Sequence, residues 1–88
     1  MPEVLVYLTR DCPYCVRAVA LLDRKGVAYR VVDVGTDPLR WAEMKRRSRR
    51  TTVPQIFIGP HHVGGYDDMA ALDADGRLDE LLGLRLES

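Results

Sequence analysis

Five consecutive apolar residues, Val4-Leu5-Val6-Tyr7-Leu8, stand almost at the start of this chain of 88 residues, and they restrict its fold more than any other stretch. A run without polar alternation suits a strand covered on both faces, so residues 3–8 are read as the central strand of a sheet. From Pro13 to Lys25 the apolar positions, Val16, Val19, Ala20 and Leu22 among them, recur at helical spacing, and Gly26 stands where a helix ends. Residues 27–34 are again β-rich, with Tyr29, Val31, Val32 and Val34. Strand, helix, strand in that order calls for a parallel pair with a right-handed crossover.

Asp37-Pro38 looks like a cap followed by proline at the first helical position, opening a helix through Trp41 and Met44 to about Ser48. Gln55 to Ile58 and His61 to Gly64 are short strands joined by the turn Gly59-Pro60, which makes a hairpin. In the tail, Met69, Ala70 and Leu72, then Leu78, Leu81 and Leu82, predict two short helices broken at Gly76 and ended at Gly83. The order is βαβ, then α, then ββα, with a further C-terminal turn of helix. A chain this short supports one core, so residues 1–88 are expected to form one domain.

Charge narrows the partners. The 13 basic residues balance 13 acidic ones, which removes the overall positive charge that binding to nucleic acid or an anionic membrane usually draws on. The basic run Lys45, Arg46, Arg47, Arg49 and Arg50 reads as a solvated helix face, although Arg50 or Arg40 could bring charge towards Thr51-Thr52-Val53-Pro54. No apolar run approaches the ~20 residues that span a bilayer, and the start lacks the basic-then-apolar order of a signal peptide. The expectation is a cytoplasmic protein with no nucleic-acid or membrane partner.

Cys12 and Cys15, the only cysteines, are too few for the disulfide framework of a small secreted scaffold, and leave redox chemistry or metal binding. Cys12 precedes Pro13 at the junction of a strand end and a helix start, where free amides and the helix dipole favour a thiolate. Cysteines so placed have pKa values lowered from about 8.5 to roughly 3.5–7.5, and the thiolate is the attacking species. Cys15, nearly one turn further on, is within disulfide reach and should be more buried, which makes Cys12 the nucleophile and Cys15 the resolving thiol. The metal alternative is zinc held by both cysteines with His61 and His62. Adjacent histidines on a strand point to opposite faces, however, and the usual finger spacing is absent.

Cys12-Pro13-Tyr14-Cys15 after a buried strand, Thr52-Val53-Pro54-Gln55-Ile56-Phe57-Ile58, and Gly64-Gly65-Tyr66-Asp67-Asp68 together resemble the dithiol glutaredoxins of the bacterial type, over about Val4 to Leu82. The resemblance implies a thioredoxin-like α/β fold, with a four-stranded mixed sheet flanked by helices. It also implies a cis Val53-Pro54 bond, so that the Val53 backbone pairs strand-like with a bound cysteine. Glutathione would be the reducing co-substrate, held by Arg10, Tyr14, Thr52, Val53, Pro54, Gly65, Tyr66, Asp67 and Asp68, with no metal required. Asp67 or Asp68 would also cap the third helix.

Three positions depart from the family pattern. Thr9 stands where a basic residue is usual, with the charge displaced to Arg10. Arg49 occupies a place where relatives often have glycine, so either the arginine is left-handed, at roughly 1–2 kcal/mol, or the helix ends differently. Tyr66 replaces an extra cysteine of some relatives. The implied activity is reduction of protein disulfides and glutathione mixed disulfides by a monomer, on clients such as ribonucleotide reductase. Two alternatives share the fold: a carrier of a glutathione-ligated two-iron, two-sulfur cluster, against which Pro13 argues, and an electron donor reduced by thioredoxin reductase.

Overall fold

The opening apolar run forms strand β1 (Val4–Leu8), and it is interior as expected: β2 (Arg30–Asp33) pairs with it in parallel and β3 (Gln55–Ile58) antiparallel. β4 (His61–Gly64) pairs antiparallel with β3, which completes a mixed sheet in the order β2-β1-β3-β4. The computed structural model describes residues 2–84; Met1 and residues 85–88 of the expected domain lie outside the described residues.

Helix α1 (Pro13–Lys25) crosses from β1 to β2, α2 (Pro38–Ser48) joins β2 to β3, and α3 (Tyr66–Ala74) and α4 (Arg77–Leu82) follow β4. One expectation needs correction. The β-rich composition of residues 27–34 predicts a strand over the whole stretch, but only Arg30–Asp33 are strand. Pairing with β1 starts at Leu5 with Arg30 and ends at Leu8 with Asp33, so residues 27–29 and Val34 lie outside the ladder.

Alternation along the strands divides the core into two. Val4, Val6, Ile56, Ile58 and Val63 meet Ala18, Leu21 and Leu22 of α1, Met69 of α3, and Leu78 and Leu82 of α4. On the opposite face Tyr7 and Phe57 meet Val34, just after β2, and Met44 of α2. Each large aliphatic side chain buried in this way contributes about 1.5–3 kcal/mol.

The helix ends are specified locally. Asp37 caps α2 by accepting the amides of Leu39 and Arg40. At its far end Arg49 adopts the left-handed conformation, φ 60°, which settles the question raised by the missing glycine. Buried Ser48 supports that turn, its hydroxyl donating to the Met44 carbonyl at 2.7 Å and accepting the Arg50 amide at 3.0 Å. Lys25, the last residue of α1, places its ammonium 2.6 Å from Asp73 of α3 and 2.8 Å from Asp79 of α4, so three helices are tied at one point.

Candidate active site

β1 delivers the chain to the edge of the sheet, and after a short turn α1 begins with Cys12 as its cap and Pro13 in the first position. The Cys12 sulfur accepts the Cys15 amide at 3.2 Å and donates to the Val53 carbonyl at 3.6 Å. One of the free amides of the helix start is thus satisfied by sulfur, the placement the motif predicted. Cys15 is also a free thiol but is only 2% exposed. Burial, reinforced by its neighbour Cys12, pushes its pKa up to about 12.

Beside Cys12 lies an open cleft of about 170 Å³. Three segments far apart in sequence build it: Tyr14 from α1; Thr52, Val53 and Pro54 from the loop before β3; and Gly65, Tyr66, Asp67 and Asp68 from the start of α3. The Val53-Pro54 bond is cis. The rings of Tyr14 and Tyr66 lie 6.4 Å apart, and the Arg17 guanidinium sits 5.2 Å from the Tyr14 ring centre.

At the floor, Asp68 accepts the Gly65 amide and the Arg50 guanidinium, each at 2.9 Å. Arg50 first, and then the Gly65 amide, hold the Asp68 carboxyl below the usual carboxylate range. A side chain on Gly64, φ 112°, would overlap that carboxylate, so glycine is required there on two counts. The capping expectation is corrected in detail. Gly65 is the cap of α3, and Asp68, three residues on, turns back to its amide; Asp67 caps nothing.

The cleft gathers eight of the nine residues expected to hold glutathione. Arg10 is the exception: its guanidinium pairs with Asp33 at the end of β2, 3.3 Å away, and its side chain is 85% exposed. It borders a separate apolar recess with Leu8, Thr9, Cys15, Val16 and Val19. Arg40 is held by Glu43 along α2, whereas Arg50 does reach the site, through Asp68.

The zinc arrangement is not assembled. His62 stacks on Phe57 and bonds to Gln55, and no group of three or more His, Cys, Asp or Glu among the described residues is placed to hold a metal ion. Sequence reading treated Gln55 as a strand residue and no more. It is wholly buried, and its amide holds both the carbonyl and the hydroxyl of Thr52, at 3.0 and 3.2 Å. A lone amide inside an otherwise apolar strand was the available signal.

The arrangement is that of a thiol-disulfide exchange site: an accessible sulfur at a helix start, a shielded second sulfur one turn on, and an adjoining cleft with amide donors and carboxylates. Among the described residues no helix is long and apolar enough to cross a membrane.

Residues 4–63 match the model of the glutaredoxin family. The chain is 51% identical over 82 residues to a glutaredoxin of Pseudomonas aeruginosa, covering 93% of this chain and 98% of that one. Glutaredoxin 3 of Escherichia coli is also 51% identical, with 93% and 99% covered. Among solved structures, the solution structure of a Brucella melitensis glutaredoxin superposes with a TM-score of 0.84 at 50% identity, covering 99% of this chain and 96% of that one. A buckwheat glutaredoxin–glutathione complex gives 0.84 at 29% identity, with 91% and 76% covered. Sequence, fold and paired cysteines agree that the chain belongs to the glutaredoxin family and is a glutathione-dependent thiol-disulfide oxidoreductase.

Proposed function

We propose that Cys12 is the nucleophile and Cys15 the resolving thiol, in a cycle that reduces protein disulfides and glutathione mixed disulfides. The observation that carries this reading is the contrast between the two sulfurs: Cys12 caps α1 beside the cleft, while Cys15 is buried with its pKa near 12. The Cys12 thiolate attacks a client disulfide, forming a mixed disulfide and releasing one client thiolate. Cys15 then gives up its proton and attacks the Cys12 sulfur, releasing the second client thiolate and leaving a Cys12–Cys15 disulfide. Two glutathiones return the pair to the dithiol and leave as glutathione disulfide. With a glutathionylated client, Cys12 alone takes the glutathionyl group and passes it to free glutathione.

Glutathione lies in the cleft beside Cys12. The Val53 backbone pairs with its cysteine, the amides at the start of α3 receive its γ-glutamyl carboxylate, and Asp67 or Asp68 meets its ammonium. A buckwheat relative of the same fold has been solved as a glutathione complex, which supports this placement. Clients are disulfide-bearing or glutathionylated proteins, ribonucleotide reductase among them, in a reducing compartment such as the cytoplasm.

The test is turnover of a glutathione mixed disulfide with glutathione, glutathione reductase and NADPH. Turnover is expected to vanish in Cys12→Ser and survive in Cys15→Ser, whereas turnover of an intramolecular client disulfide is lost in both. Activity in Cys12→Ser would reverse the roles. An inactive wild type that is reduced by thioredoxin reductase would point to the electron-donor alternative.

A further inference from the structure

Behind the cleft a part-buried polar chain, with Gln55 at its centre, runs from β4 to the loop that forms the cleft wall. Gln55 is wholly buried, so each polar atom of its amide needs a partner. The Thr52 carbonyl, 3.0 Å away, can only accept a hydrogen bond, which fixes the Gln55 NH2 on the Thr52 side, where the hydroxyl is a second partner at 3.2 Å. The Gln55 carbonyl oxygen therefore faces His62, 2.8 Å from Nε2. That oxygen carries no hydrogen, so the proton must be on Nε2, and one tautomer of the neutral ring is selected.

The ring itself is fixed from the other side by stacking on Phe57, its cross-strand partner, at 4.8 Å between centroids and 28° between planes. Two charged groups, Arg50 before β3 and Asp68 of α3, and the neighbouring titratable His61 surround it; burial first, then Arg50, holds its pKa below the usual histidine value against the opposing pull of Asp68. His62 thus stands as a neutral donor whose single acceptor is Gln55.

Resting on the glutathione-binding reading of the cleft, we propose that His62 and Gln55 are positioning residues for glutathione. They act as one relay that holds the Thr52-Val53-Pro54 segment in the conformation that pairs with the bound tripeptide. Neither residue lines the cleft. Their effect passes through Thr52, whose carbonyl and hydroxyl are both engaged, and so through the adjoining Val53 backbone. Without the imidazole donor the Gln55 oxygen is buried and unpaired, and the amide relieves that cost by turning away from Thr52. The loop then loses its anchor, and glutathione meets a segment that must be ordered at the moment of binding.

Three variants test this: His62→Phe, which keeps the stack on Phe57 but removes the donor; His62→Gln, which restores a donor; and Gln55→Leu. Steady-state turnover is measured against glutathione concentration, with amide chemical shifts of Thr52 and Val53 in the free protein as an independent readout. His62→Phe and Gln55→Leu are expected to shift both amides and raise KM for glutathione roughly tenfold, with kcat within about twofold of wild type. His62→Gln is expected to recover most of the loss. The proposal is overturned if His62→Phe leaves KM and both amide signals unchanged, if kcat falls in step with thermal stability while KM stays near wild type, or if the loop signals shift without a change in KM. Wild type that turns over no glutathione substrate would instead remove the underlying reading, and the proposal with it.

Discussion

Arg50 Nη1 stands 2.9 Å from Asp68 Oδ2 and joins the segment after α2 to the first turn of α3. The pair brings the wall and the floor of the cleft together.

Asp68 has its folded pKa depressed below 3.8, chiefly by Arg50, so its contribution to stability is present above the unfolded value and is lost as pH falls through the folded one. Both side chains are nearly half exposed, which limits the pair to about 0.5–1 kcal/mol. Asp68→Asn is therefore expected to be less stable than wild type by about that much at pH 7, with the gap closing as pH falls below about 4. Urea titrations of both proteins across this range check it; a gap that does not change with pH would contradict the assignment.

Cys15 behaves in the opposite sense. Its folded pKa near 12 exceeds that of an unfolded cysteine, about 8.5, so stability is retained below pH 8 and declines as pH rises between those values. Wild type is expected to lose stability more steeply than Cys15→Ala between about pH 8.5 and 11. Iodoacetamide at pH 7, followed by mass spectrometry, should label Cys12 alone in the native protein and reach Cys15 only in denaturant. Equal labelling of the two under native conditions would overturn the contrast on which their roles rest.

Arg49 carries a left-handed backbone at φ 60° with a full side chain. Arg49→Gly removes the clash between Cβ and the following carbonyl, and after the added flexibility of the unfolded chain a gain of about 0.5–1 kcal/mol should remain. The expected result is a melting temperature a few degrees higher with unchanged turnover. A lower one would mean that the arginine side chain stabilises the turn in a further way.

Much of this was readable because it is local. The run Val4–Leu8 identified the interior strand, and Pro13, Gly26, Asp37 and Gly83 marked helix ends by chemistry that acts within one turn. Cys12, Tyr14, Thr52, Pro54 and Asp68 were recoverable as motif residues even though three distant segments bring them together. What failed depended on partners elsewhere. The extent of β2 is set by its pairing with Leu5 to Leu8 of β1, and Arg10 turns to Asp33, 23 positions along the chain, in place of the cleft. His62 lies opposite Phe57 in the register continuing from the hairpin turn, beside an irregularity between Phe57 and Ile56, and its reach to Gln55 is a cross-strand relation that strand propensity does not reveal.

The Lys25 tie has a mechanical consequence. α1 carries the sulfur at its first turn and α3 carries the carboxylates at its own, and the two are fastened near their far ends, at Lys25 and Asp73. They form the legs of a pair of callipers. With a leg of about 18 Å for α1, a tilt of about 5° at the hinge moves the tip by roughly 1.5 Å. An ion pair remote from the chemistry therefore adds to the core packing of α1 against α3 in holding the gap that a tripeptide thiol must span.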